Sequence, residues 1–125
     1  YWMLEERGRG HGRGRIWTDP KFGAAYCQDD VPVRALSDIT GHAVRAMYLY
    51  TGMADVNMFR PEANYLPALT RVWDDVVNRN MYITGGIGSS RSNEGFTVDY
   101  DLPNETAYCE TCASIGMVFW NHRMF

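Results

Sequence analysis

Tyr65-Leu66-Pro67-Ala68-Leu69-Thr70-Arg71-Val72-Trp73-Asp74-Asp75-Val76-Val77 is the stretch that decides the fold class. Its apolar residues, Tyr65, Leu66, Leu69, Val72, Trp73, Val76 and Val77, recur at intervals of three and four and draw one stripe along a helix. Asn64 is the expected N-cap. Pro67 falls in the first turn, where a missing N–H leaves no carbonyl unpaired, and Asn78 to Asn80 end the run.

The same period continues on either side. From about Ser37 to Tyr50 the pattern is again helical, with Ala43, Val44, Met47, Tyr48 and Thr51 on one face and His42 on the side of Ala46 and Leu49. Gly41 weakens this helix and points to close packing against a neighbour or ligand. From Thr106 to the end, Tyr108, Cys112, Ile115 and Phe119 form a third stripe, capped by Asn104 or Thr106, with Glu105 at the positive end of the dipole.

Between Met81 and Asn104 the period changes. Met81-Tyr82-Ile83-Thr84 is strand-like, and Phe96-Thr97-Val98-Asp99-Tyr100 alternates in the β manner, with Gly85-Gly86-Ile87-Gly88-Ser89-Ser90 between them. A long ordered insertion between helices tends to carry function. The expected fold is therefore mainly α, with helix hairpins repeating around an axis and a short β-containing loop insertion around 81–104.

The totals agree with one globular unit. The chain has 125 residues, 46% hydrophobic and 22% charged, enough for one ordinary core. A net charge of −3 argues against nucleic acid or an anionic membrane as partner. No apolar run approaches the roughly 20 residues that span a bilayer. Three cysteines, an odd number, speak against a disulfide framework and for a reducing compartment or thiolate chemistry.

Both ends look cut. Tyr1 to Arg7 resembles the last turns of an amphipathic helix rather than a leader, and Phe125 closes an apolar helical run with no cap. Residues 1–125 are therefore expected to be part of one domain, and the severed helices argue against independent folding. With no signal peptide visible, a cytoplasmic location is favoured. Arg7 to Arg15 alternates arginine and glycine around His11. A flexible surface loop explains so short a run better than an arginine-glycine RNA-binding box does.

Several groups could do chemistry. The Gly85 to Ser90 loop could form an anion nest, but it lacks the lysine and spacing of a P-loop; a tight turn lining a pocket is the better reading. Glu94, Asp99, Asp101, Glu105 and Glu110 crowd one region. Glycosidic bond cleavage usually needs a carboxylate pair, although solvated surface acids look the same in sequence. Cys109-Glu110-Thr111-Cys112 fits a redox dithiol at a helix start, half of a zinc site, or two small buried residues on one face. On a regular helix Glu110 and Cys112 lie about 200° apart, so one metal can take both only where the helix has not properly begun. His11, His42 and His122 are scattered, with no paired histidine motif.

Five stretches together resemble glycoside hydrolase family 127. They are Gly41 to Ala46 with Tyr48 to Val56; Trp73-Asp74 with Val76-Val77; Met81 to Ser89; Glu94-Gly95-Phe96; and Tyr100 to Asn104 leading to Glu110-Thr111-Cys112-Ala113. The likeness runs from about Tyr26 onward. It implies part of an (α/α) six-hairpin catalytic barrel and a retaining enzyme that removes β-L-arabinofuranose from non-reducing ends of an arabinose-containing glycan or glycopeptide. The resemblance also implies a cysteine nucleophile held on Zn2+ by one glutamate and two further cysteines, with a separate glutamate as general acid/base. Matched position by position, Glu94 takes the acid/base place, Glu110 and Cys112 take two of the four zinc-ligand places, and His42 stands where the family has a histidine near the sugar. The resemblance implies that the nucleophile and fourth ligand are an adjacent cysteine pair beyond Phe125, so the 125 residues alone are expected to hydrolyse nothing. Cys109 is one position too early to replace them, and Cys27-Gln28-Asp29-Asp30 departs from the family pattern and takes no role. A related hydrolase with another sugar, or a non-catalytic helical interaction module, remain the alternatives.

Overall fold

The computed structural model describes residues 1–10 and 22–125, so most of the arginine-glycine run lies outside the described residues. Among the described residues four α-helices follow in chain order: α1 (Trp2–Glu5), α2 (Ala43–Phe59), α3 (Leu66–Arg79) and α4 (Thr111–Met124). Single 3-10 turns occupy Val33–Ala35 and Pro61–Ala63. The mainly α reading holds, and no helix among the described residues is long and apolar enough to cross a membrane.

The expected strands do not form. Only isolated antiparallel bridges connect Met81 with Ile87, Ser90 with Gly95 and His42 with Gly95. Each run turns back within a few residues, so alternation never finds a partner long enough to make a ladder.

The helix starts also move. The 37–50 pattern becomes helical only at Ala43, because Gly41 at φ +71° is a turn residue outside the helix. Its close packing is real: a Cβ at Gly41 would lie 2.1 Å from the Ala25 carbonyl oxygen. Asn64 does not cap α3. It closes the preceding 3-10 turn at φ 55°, a left-handed conformation that asparagine tolerates, and Tyr65 stands at the helix entrance. There the Tyr65 N–H donates to the Asn57 side chain at 2.8 Å.

The core lies between α2, α3 and α4. Met47, Tyr50 and Met53 of α2, Leu69, Val72 and Val76 of α3, and Met117 and Trp120 of α4 are buried together. The Tyr50 and Trp120 rings lie 4.9 Å apart, a productive aromatic spacing. Trp73 donates its indole N–H to Asn121 at 2.7 Å, tying α3 to α4.

Two expected helix faces are corrected. In α2 the buried face runs through Ala43, Ala46, Met47, Tyr50 and Met53, while Tyr48 is exposed. In α4 the buried face is Ala113, Gly116, Met117 and Trp120; Ile115 and Phe119 are exposed, as is Cys112. The helix also starts at Thr111 rather than near Thr106, so neither Asn104 nor Thr106 caps it. The reason is proximity: α4 approaches α2 so closely that a Cβ on Gly116 would sit 2.6 Å from Met47 Cβ. Small residues permit that approach, and larger apolar ones are left on the far face.

Candidate active site

The site is assembled where α2 and α4 begin. His42 is the N-cap of α2, with extended backbone (φ −72°, ψ 124°), and its Nδ1 accepts the Arg45 N–H at 3.3 Å. This occupies one of the orphan donors of the first turn. Tyr26 packs edge-on against the imidazole, centroids 5.1 Å apart, and the Arg45 guanidinium lies 5.0 Å from the Tyr26 ring.

A narrow loop carries Glu94 to the same place. Ser90 and Gly95 exchange two backbone hydrogen bonds of 3.1 Å, leaving Glu94 just before the closure in the left-handed region at φ 50°. The Glu94 carbonyl accepts from the Ala43 N–H at 3.0 Å, and Phe96 N–H donates to the Gly41 carbonyl at 2.9 Å. Gly95 lies flat on this edge; a Cβ there would fall 1.8 Å from the Gly41 oxygen. The Glu94 carboxylate meets His42 Nε2 at 3.1 Å.

Glu110 arrives by a different route. The glycine loop is a tight turn, with Tyr82 N–H donating to the Gly86 carbonyl at 2.9 Å, and Gly88 at φ +82° packs against Ala43. The Gly88 and Ser89 carbonyls then accept from Cys109 and Tyr108 at 2.9 and 3.1 Å. That pairing fixes the segment leading to Glu110, whose extended backbone (φ −60°, ψ 139°) makes it the N-cap residue of α4. Tyr108 donates its hydroxyl to Glu110 at 3.3 Å.

His42, Glu94 and Glu110 thereby converge, each offering a donor atom within 4.8 Å of the other two. Both nearby phenols register this cluster. Tyr108 and Tyr26 are held above the ordinary tyrosine range, in each case first by desolvation; the Glu110 and Glu94 carboxylates then add to it at Tyr108, and chiefly Glu94 at Tyr26. The other acids serve elsewhere. Asp99 pairs with Arg79 and Asn80, and Asp101 accepts from the Thr97 hydroxyl.

Cys112, the remaining candidate, stands apart from the three converging donors. It is exposed at the second residue of α4. Burial pushes the Cys109 thiol up, the reverse of what a redox dithiol needs. As to zinc, the donor types fit: a carboxylate and a thiol flank an open helix start. Because Glu110 is extended rather than helical, the separation expected on a regular helix does not apply.

Comparison with known proteins follows the same lines. The family model described as beta-L-arabinofuranosidase, GH127 catalytic domain, matches residues 4–125. The chain belongs to glycoside hydrolase family 127. A non-reducing end beta-L-arabinofuranosidase from Bifidobacterium longum subsp. longum is 46% identical over 99 residues, 79% of this chain and 15% of that protein. The crystal structure of a GH127 beta-L-arabinofuranosidase from Geobacillus stearothermophilus T6 superposes with a TM-score of 0.86 at 42% identity. It covers 98% of this chain and 21% of that one. A second GH127 beta-arabinofuranosidase gives a TM-score of 0.86 at 43% identity, over 99% of this chain and 18% of its own. The helices described above are accordingly a section of the family 127 α/α barrel, and the chain spans between about a seventh and a fifth of the length of these relatives.

Sequence reasoning missed Tyr108, Tyr26 and Arg45 as neighbours of the three converging side chains. Tyr108 was legible only as part of a helical stripe, whereas it belongs to the extended segment before α4. For Tyr26 no local signal exists, since only the fold brings it to His42.

Proposed function

We propose that this chain supplies part of the active site of a retaining glycosidase that releases β-L-arabinofuranose from the non-reducing ends of arabinose-containing glycans or glycopeptides. The observation that carries this reading is the convergence of His42, Glu94 and Glu110 at two helix starts, in a chain of this family. The similarity to a non-reducing end beta-L-arabinofuranosidase supports the sugar.

Glu94 is the general acid/base. As the acid it protonates the glycosidic oxygen as the bond to the leaving group breaks; as the resulting carboxylate it takes a proton from the water that completes hydrolysis. Its side chain is half exposed, so the carboxyl group can meet a glycosidic oxygen. Glu110 and Cys112 supply two ligands for Zn2+, with Tyr108 orienting the Glu110 carboxylate. When bound, zinc keeps a cysteine thiol ionised at neutral pH, the form of sulfur able to attack an anomeric carbon. His42 lines the sugar side of the site.

The test is Glu94→Gln in the full-length protein. It should lower kcat by about 10²–10⁴-fold on a glycan substrate. The loss should be smaller for an aryl glycoside, whose leaving group needs less protonation. Unchanged rates on both would remove Glu94 from the chemistry and leave this section of the protein as a helical scaffold. A panel of aryl glycosides separates β-L-arabinofuranose from another sugar.

A further inference from the structure

His42 is held on three sides. Its Nδ1 accepts the Arg45 N–H at the first turn of α2, its ring packs nearly perpendicular to that of Tyr26, and its Nε2 lies 3.1 Å from Oε2 of Glu94. The side chain is largely buried, with 11% exposure against 45% for Glu94. A nitrogen that accepts a hydrogen bond carries no proton, so capping the helix removes the proton from Nδ1. A neutral ring then has its single N–H at Nε2, and the atom facing that N–H is the Glu94 carboxylate.

We propose that His42 is the positioning residue of Glu94: α2 fixes the Nε2–H tautomer, that N–H is spent on Oε2, and Oε1 is left as the oxygen that delivers and recovers the proton. This rests on the acid/base reading of Glu94 and goes beyond it, because it names which carboxyl oxygen works and what selects it. The backbone acts in the same sense, since the Ala43 N–H, one residue along, holds the Glu94 carbonyl at 3.0 Å. Both ends of Glu94 are therefore referred to one rigid element, the start of α2. When Oε1 gives its proton to the leaving oxygen, the charge left on the carboxylate is met by an N–H already aligned, with no side chain needing to turn. A histidine bound mainly to the sugar would instead keep Nε2–H for a hydroxyl.

Three variants and one spectrum test this in the full-length protein. His42→Asn keeps a capping oxygen for the Arg45 N–H but is too short to reach Oε2. It should lower kcat by about 10–100-fold with KM changed less than about threefold. His42→Gln extends an amide N–H towards Oε2 and should recover part of that loss. Nitrogen NMR of the unaltered protein should find His42 as the Nε2–H tautomer, a result that does not depend on any variant folding. A rise in KM at unchanged kcat for His42→Asn, or an Nδ1–H tautomer, overturns the proposal while leaving Glu94 as acid/base. Full activity in Glu94→Gln would instead remove the acid/base reading, and the positioning role with it.

Discussion

At the scale of single residues, Asp75 shows how a polar group in the core is made tolerable. It is buried in α3, and its carboxylate accepts the Ile39 N–H at 2.8 Å and faces Arg79 at 3.2 Å. Burial is the largest influence and holds the carboxyl above its ordinary value; the Ile39 N–H and Arg79 pull it down, while Asp99 and Asp38 add to the rise. The folded state therefore binds this proton more tightly than the unfolded chain does. Its contribution to stability is fully present below the usual aspartate value and is lost as pH rises through the raised one. Asp75→Asn keeps an acceptor for Ile39 and cannot ionise. Relative to the unaltered protein, its thermal midpoint should improve as pH increases from about 3 to 7. Asp75→Ala leaves the Ile39 N–H without a partner and should cost about 1–3 kcal/mol in denaturant unfolding at either pH.

At the scale of elements, two glycines in helices have opposite roles. In α2, Gly52 has no atom within 4 Å of where a Cβ would stand, whereas in α4 a Cβ on Gly116 would press on Met47 at 2.6 Å. Gly52→Ala should stabilise by about 0.5–1 kcal/mol through helix propensity. Gly116→Ala gains the same propensity but overpacks the α2–α4 contact, and should destabilise by about 1–3 kcal/mol. Equal effects of the two changes on the unfolding midpoint would contradict the close crossing. Because His42 and Glu110 stand at the starts of these two helices, Gly116→Ala should also disturb the spacing of the site.

At the scale of the whole molecule, the described surface carries large apolar side chains. Trp2, Phe59, Val118 and Phe125 are more than half exposed, and Ile115 and Phe119 nearly so. A helix such as α4, apolar on both faces, is usual where further helices cover it. The matched relatives in glycoside hydrolase family 127 are about five times as long as this chain, which aligns over 15–21% of each. The 125 residues by themselves should show no turnover of an aryl β-L-arabinofuranoside, because the proposed nucleophile is not among them. They should also bind Zn2+ only weakly with two of the four proposed ligands. Sub-micromolar zinc affinity in calorimetry, or measurable hydrolysis, would contradict that division of labour.

Local periodicity in the sequence determined the helical class and most of the α3 stripe, Leu66 excepted, which is exposed. The family, and with it the choice of His42, Glu94, Glu110 and Cys112, came from the likeness of several motifs, and of these four Cys112 does not join the cluster. Tertiary structure decided which faces are buried and which groups meet. The α4 stripe of Ile115 and Phe119 was legible and pointed the wrong way, because an apolar helix offers two faces and only its neighbour selects one. The strand-like runs at 81–84 and 96–100 form no ladder for the same reason: a ladder needs a partner that no local pattern specifies. Likewise His42 and Glu94 are far apart in sequence and 3.1 Å apart in space, joined by a left-handed Glu94 and a glycine contact that close only when α2 is in place.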